Sequence, residues 1–436
     1  MAQDMTPDDW EAVWQAQQEA PARDHWSDRH RHMTQLGASL ECDGAEVRGA
    51  MINNGPLLSI NPKPFVYRAP SKLPPREWLY GHHLCRQYAS ATIAPGGVGK
   101  TTLTVTDALA MATGRTLIGL KPHCPLRVWL WNGEDPTVEL ERRMIAAMEF
   151  HGIGPEDVDG RLFIDSGRDM PIKIGQATPA GPMIAEPVVS ALIEALRSRK
   201  IDVLIVDPFV SVHSMPENDN GAMDAAVKAF ALIADRTGCA IDLVHHSRKL
   251  NGADADIDAA RGGSAIAGAV RPARVLNVMN TETAEVFGIS GDERRSYVRV
   301  DDAKANLAPA SAARWFRLSG QALGNSTDDR PEDFVAVADS WTPPDTFDGI
   351  TVADLLRVQN AIDQKALREN VQANEWAGYV IGPLLDLDPN DKTDKARIKR
   401  MIKTWISTGA LKIERVQDGK GHDRPVIAVG EWAVED

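Results

Sequence analysis

The chain has 436 residues, 43% hydrophobic and 25% charged, the balance of a globular protein and not of a disordered or fibrous one; it is also too long for one ordinary core. Its apolar runs, such as 203–206 and 240–244, fall far short of the roughly 18 residues that cross a bilayer, and four widely spaced cysteines argue against a disulfide framework or zinc ribbon. A net charge of −13 argues against a surface coated in nucleic acid but allows a local basic patch; with no secretory-type leader after Met1, the expected home is the cytoplasm, with no membrane partner.

Residues 1–76 read as a partly disordered N-terminal extension, with a short helix around 7–19 and a connector stiffened by Pro62, Pro64, Pro70, Pro74 and Pro75. From 77 to 325, short β-rich runs alternate with helical ones, the pattern of a parallel sheet with crossover helices. Strands are expected at 88–94, 126–131, 162–165, 203–206 and 240–244, and helices at 101–113, 137–150, 185–199 and 222–237. The later runs 273–279, 285–289 and 297–300 read as antiparallel strands. Residues 326–349 look like a linker. Residues 350–436 read as a separate small domain.

Ala94, Pro95, Gly96, Gly97, Val98, Gly99, Lys100 and Thr101 fit a phosphate loop, placed between an expected strand and helix. Glycines let successive N–H groups turn inward onto phosphate oxygens, and the helix N-terminus adds partial positive charge. Lys100 supplies a cation to the β- and γ-phosphates of ATP, while the Thr101 hydroxyl suits Mg²⁺. With Thr102 these are the nucleotide-contact candidates.

Asp207 ends the apolar run 203–206 and is expected to hold the Mg²⁺ shell with Thr101. Pro208 follows it, so the group that activates water must come from elsewhere. Glu134, in Asn132-Gly133-Glu134-Asp135-Pro136 at the end of a strand expected beside the phosphate-loop strand, is the candidate base; the same acids also suit the first turn of the next helix. His245 and His246 end another strand. His246 is preferred as the γ-phosphate contact because alternation turns the two rings to opposite faces.

These motifs, with Ala260-Arg261-Gly262-Gly263-Ser264 and Lys304-Ala305-Asn306, make residues 78–320 resemble the RecA-like ATPases, and within them the RepA-type hexameric replicative helicases of plasmids and phages. The resemblance implies an α/β fold with a RecA-like, mostly parallel sheet flanked by helices, assembling as a homo-oligomeric ring, hexameric in that family, with ATP held between subunits. It also implies that Arg271 reaches a neighbour's site, and that Arg143 and Lys304 match basic nucleotide-site positions. Loops after Asp207 and His246 correspond to those facing single-stranded DNA, yet 216–220 is acidic and only Arg248, Lys249 and Arg261 are cationic there.

In 350–436 the order helix, helix, helix, hairpin resembles a winged helix, an α+β arrangement that touches duplex DNA. Lys395, Lys399 and Lys403 line one face of an expected helix at 392–408, and Asp391 to Arg424 carries 10 Lys/Arg against 5 Asp/Glu. The functional expectation is a DNA-acting ATPase of helicase type. The alternatives are an ATP-driven loader or recombination mediator like the RadA and KaiC branch, or an ATP-controlled DNA-binding regulator.

Overall fold

The computed structural model describes residues 61–179, 181–247, 254–257, 263–309, 311–363, 365–417 and 423–434. The helix expected at 7–19 lies outside them. Residues 61–73, the described part of an N-terminal unit, are largely exposed and hold one 3₁₀ turn at Pro70–Lys72.

Residues 74–436 form a second compact unit around a nine-stranded sheet. Its strands are β1 (Ala89–Ala94), β2 (Val128–Asn132), β3 (Leu162–Ser166), β4 (Val203–Asp207), β5 (Ala240–His246), β6 (Pro272–Val278), β7 (Tyr297–Ala305), β8 (Arg314–Ala322) and β9 (Phe334–Ser340). They lie in the order β9-β8-β7-β6-β1-β5-β4-β2-β3. The six from β6 to β3 are parallel and the other three antiparallel, so the fold is α/β with a mostly parallel central sheet.

Side-chain alternation assigns the two faces. Ala91, Ile93, Leu204, Val206, Ile241 and Leu243 pack under α3 (Glu186–Ser198), α4 (Asn220–Thr237) and α5 (Gly263–Ala269). Val128, Leu130, Val203, Ile205, Ala240 and Val244 meet α1 (Lys100–Thr113) and α2 (Thr137–His151) on the other. Left-handed glycines stop these helices: Gly114 after α1, Gly152 after α2 and Gly238 after α4.

Three expectations need correction. Residues 285–289 are not a strand: Thr281–Phe287 is a helix, capped by the Asn280 side chain and ended by left-handed Gly288. The run at 273–279 becomes β6, which is parallel to β1 and antiparallel only to β7. Residues 326–349 contain β9, whose Val335 and Val337 are buried against the α1 side.

Beyond β9, helices Val352–Ile362, Gly378–Leu384 and α6 (Lys392–Thr408) precede a hairpin of β10 (Leu411–Gln417) and β11 (Asp423–Val429). They enclose their own core around Val358, Trp376, Ile398, Ile402 and Trp405.

On the α1 face the sheet also buries charge. Arg274 on β6 pairs with Asp107 of α1 at 2.7 Å and Asp242 of β5 at 3.3 Å, and its Nε donates to Thr92 of β1 at 2.8 Å. His83, from the hairpin preceding β1, sits 3.0 Å from Asp242. Burial opposes ionisation of Asp242, but His83, Arg274 and Thr92 outweigh it and hold the carboxyl down at about 2. Replacing Arg274 with methionine strands two buried carboxylates, and urea unfolding is expected to register a loss of about 3–5 kcal/mol. Combining Arg274→Met with Asp107→Asn and Asp242→Asn is expected to recover much of it.

Candidate nucleotide site

All six residues of β1 are buried, and the chain leaves the strand through Pro95 into a tight turn. Gly97 and Gly99 lie in the left-handed region at φ 77° and 93°, a conformation glycine adopts without strain. Gly99 is also the N-cap of α1 and supplies no side-chain cap, so the first N–H groups of the helix stay available to an anion. A Cβ at Gly96 or Gly97 would meet nothing within 4 Å, which leaves the turn open on that side.

Lys100 is buried, its Nζ donating to Pro95 O at 3.0 Å, Ala94 O at 3.3 Å and His246 Nδ1 at 3.0 Å. Burial lowers its pKa, while Asp207 and Glu134 pull it back up. The next residue, Thr101, donates its hydroxyl to Asp207 Oδ2 at 2.7 Å. Burial pushes the Asp207 carboxyl up to about 6, against the Thr101 bond and the Lys100 charge.

Strand alternation explains this convergence. Asp207 follows Val203 and Ile205 on the α1 face, and His246 follows Val244. His245 turns the other way, its ring 6.0 Å from that of Phe209.

Glu134 comes to the cluster by a different route from the one expected. Its strand, β2, does not neighbour β1: β4 and β5 lie between them. Asn132 is instead registered opposite Asp207, and Gly133 N donates to Asp207 O at 2.8 Å. The Asn132 side chain accepts from the Glu134 and Asp135 amides at 3.0 and 2.8 Å, and Arg168 donates to the Glu134 carbonyl at 2.8 Å. Glu134 is thus held within electrostatic reach of Lys100 and Asp207.

Other candidates lie elsewhere. Arg143 pairs with Asp135 at 3.4 Å and Glu139 at 3.2 Å along α2. Arg271 is exposed just before β6, at the opposite end of the parallel strands from the phosphate loop. Lys304 lies beside it, donating to Val270 O at 2.8 Å and to Ala267 O. Thr102 is buried within α1, where its carbonyl accepts from Thr106. Arg248, Lys249 and Arg261 lie outside the described residues.

Thr101 and Asp207 offer adjacent oxygen donors, one a carboxylate that burial penalises, which fits a hard divalent cation. Among the described residues no group of three or more His, Cys, Asp or Glu side chains could hold a metal. Mg²⁺ bound at Thr101 and Asp207 would complete its shell from phosphate and water, its usual habit.

Asn132 and Gly133 belong to the motif quoted from the sequence, but sequence reasoning gave neither a role of its own. A Cβ on Gly133 would come within 2.2 Å of Ser211 Cβ and 2.9 Å of the Trp131 ring. The available signal was a glycine directly after a strand that ends in Asn.

Residues 61–252 match the family model of an AAA domain. Among solved structures, a crystal structure of the RadB recombinase is similar at 12% identity and a TM-score of 0.36, over 54% of this chain and 89% of that one. The family match and the loop geometry mark residues 61–252 as a P-loop ATPase-like domain. Among the described residues no helix is long and apolar enough to cross a membrane.

Protons compete with a cation for Asp207, so the gain in ADP affinity on adding Mg²⁺ is expected to shrink as pH falls through about 6. Calorimetry should find that gain smaller, and without the fall near pH 6, in Asp207→Asn. Gly133→Ala, which displaces Glu134, is expected to lower ATP turnover while leaving Mg·ADP binding largely intact.

Proposed function

We propose that this protein is a Mg²⁺-dependent ATPase that assembles as a RecA-like ring and acts on DNA as a RepA-type replicative helicase. The observation that carries the reading is the gathering of Lys100, Thr101, Asp207, Glu134 and His246 around one turn, from three strand ends and one helix start. Lys100 and the first amides of α1 bind and orient the phosphates. Thr101 and Asp207 hold the cation, which when bound would neutralise charge developing on those phosphates. Glu134 orients the attacking water and accepts its proton. His246, bonded to Lys100, is placed to respond to the γ-phosphate.

A ring is supported by the position of Arg271. It lies exposed at the far end of its own sheet, so it cannot serve the Lys100 cluster of its own subunit, and a role at such a cluster would require a neighbouring copy. Contact with DNA is supported by α6, where Lys399 and Lys403 are exposed. A loader or recombination mediator is the second reading, favoured by the acidic loop 216–220, where Asp219 caps α4 through the amides of Gly221 and Ala222.

Lys100→Ala and Glu134→Gln are each expected to reduce ATP turnover by about 10²-fold or more. Arg271→Ala should be inactive alone but regain partial turnover when mixed with Lys100→Ala, because a mixed ring contains sites with one intact half from each. Full activity of Arg271→Ala alone sinks the shared site. A strand-displacement assay, with solution mass measured with and without ATP, separates the helicase from the loader.

A further inference from the structure

We propose that a cleft of about 500 Å³ between the 78–85 hairpin, the loop after α1 and the start of β8 binds a small oxyanion, a phosphate or carboxylate group of a free small molecule. Its lining includes Arg314, a half-buried residue whose guanidinium makes no hydrogen bond or ion pair with any described residue. Two of the nearby carboxylates are already paired, and the third, Asp302, lines the cleft itself. Asp107 and Asp242 pair with Arg274, and Asp302 accepts from the Ser311 amide at 3.0 Å.

Arg314 is therefore a partly desolvated cation with a second cation, Arg274, close enough to act on it. Burial, and then the charge of Arg274, lower its pKa, with Asp107, Tyr80 and Asp302 opposing only in part. A guanidinium presents five donors in a planar fork that an oxyanion can engage in bidentate fashion. Exposed Lys121 and His123, which also line the cleft, supply a second point of contact.

The remaining wall is aromatic. Trp78 lies 5.3 Å from His82, ring centre to ring centre, so a ligand with a flat body beside its charged group suits the cleft. The volume is that of a small-molecule pocket. No residue of the Lys100 cluster lines it. Asp107, which ties this region to α1, is seven residues along the helix from Lys100, a rise of about 10 Å.

The test uses the full chain with its phosphate loop saturated by Mg²⁺ and β,γ-methylene ATP, so that added anions cannot occupy the γ-phosphate position. Calorimetric titration with inorganic phosphate, and separately with malonate, is expected to show one further equivalent bound for at least one of them. Binding by phosphate alone assigns a phosphorylated ligand, and by malonate alone a carboxylate. Arg314→Gln is expected to weaken it by about tenfold or more, and Lys121→Ala by several-fold, with the affinity for the ATP analogue unchanged in both. The proposal is overturned if neither anion binds the wild-type chain below roughly 10 mM, or if Arg314→Gln binds like wild type. Should Arg314→Gln fail to fold, Lys121→Ala decides, and unchanged anion affinity in that exposed variant overturns the site.

Discussion

The buried guanidinium of Arg274 fixes how α1 lies on the sheet, and the phosphate loop depends on that placement. Apolar burial holds the helix down but is non-directional and tolerates sliding. A fork reaching Asp107 on the helix, Asp242 on β5 and Thr92 on β1 does not tolerate it, since a shift would leave buried charge unpaired. Thr92 is two residues before Ala94, where the loop begins, and Asp242 is four before His246. The hub therefore sets the relative positions of the two strand ends that meet at Lys100.

From that alignment the chemistry follows by alternation. Every second residue of β4 and β5 faces α1, so continuing each strand to its end presents Asp207 and His246 at the start of the helix. The price of this placement is desolvation: burial raises the Asp207 carboxyl and lowers the Lys100 ammonium, each toward its neutral form. A phosphate beside Lys100 and a cation beside Asp207 would both restore the charged forms. Phosphate and cation also attract each other directly, so the binding of one favours the other, which suits a metal–nucleotide complex.

Much of this was legible in the sequence because it is local. The loop spacing, the apolar strand ending in Asp207 and the long helices with terminal glycines need no distant partner to be recognised. What failed was either weak in pattern or non-local. Val286 and Phe287 read as β, yet the Asn280 cap and Gly288 stop define a helix. Strand β9 is an edge strand with Phe334 exposed and Val335 and Val337 buried, a half-apolar run hidden behind the polar stretch before it. The neighbour of β2 depends on strand order, which no local motif encodes. Arg274 did leave a trace, since a charge inside Ala273-Arg274-Val275 and another inside Ile241-Asp242-Leu243 are unusual in buried strands.

The antiparallel edge of the sheet links the phosphate loop to the C-terminal helices. Strand β8 carries Leu318 against Gly99, where a Cβ would approach to 3.0 Å, so the loop turn is packed directly on this strand. Three residues earlier, Trp315 joins Phe287 and Trp341 in an edge-to-face cluster. Arg400 of α6 lies 5.4 Å from the centre of the Phe287 ring, and Gly288 abuts Thr393 at the start of α6. One strand thus has its middle against the nucleotide turn and its beginning in an aromatic joint that seats the basic helix. Helix α6 is thereby packed to β8 through Phe287 and Trp315. The strand expected to be a linker, β9, is instead hydrogen-bonded to β8 along its length, and it stiffens the same connection.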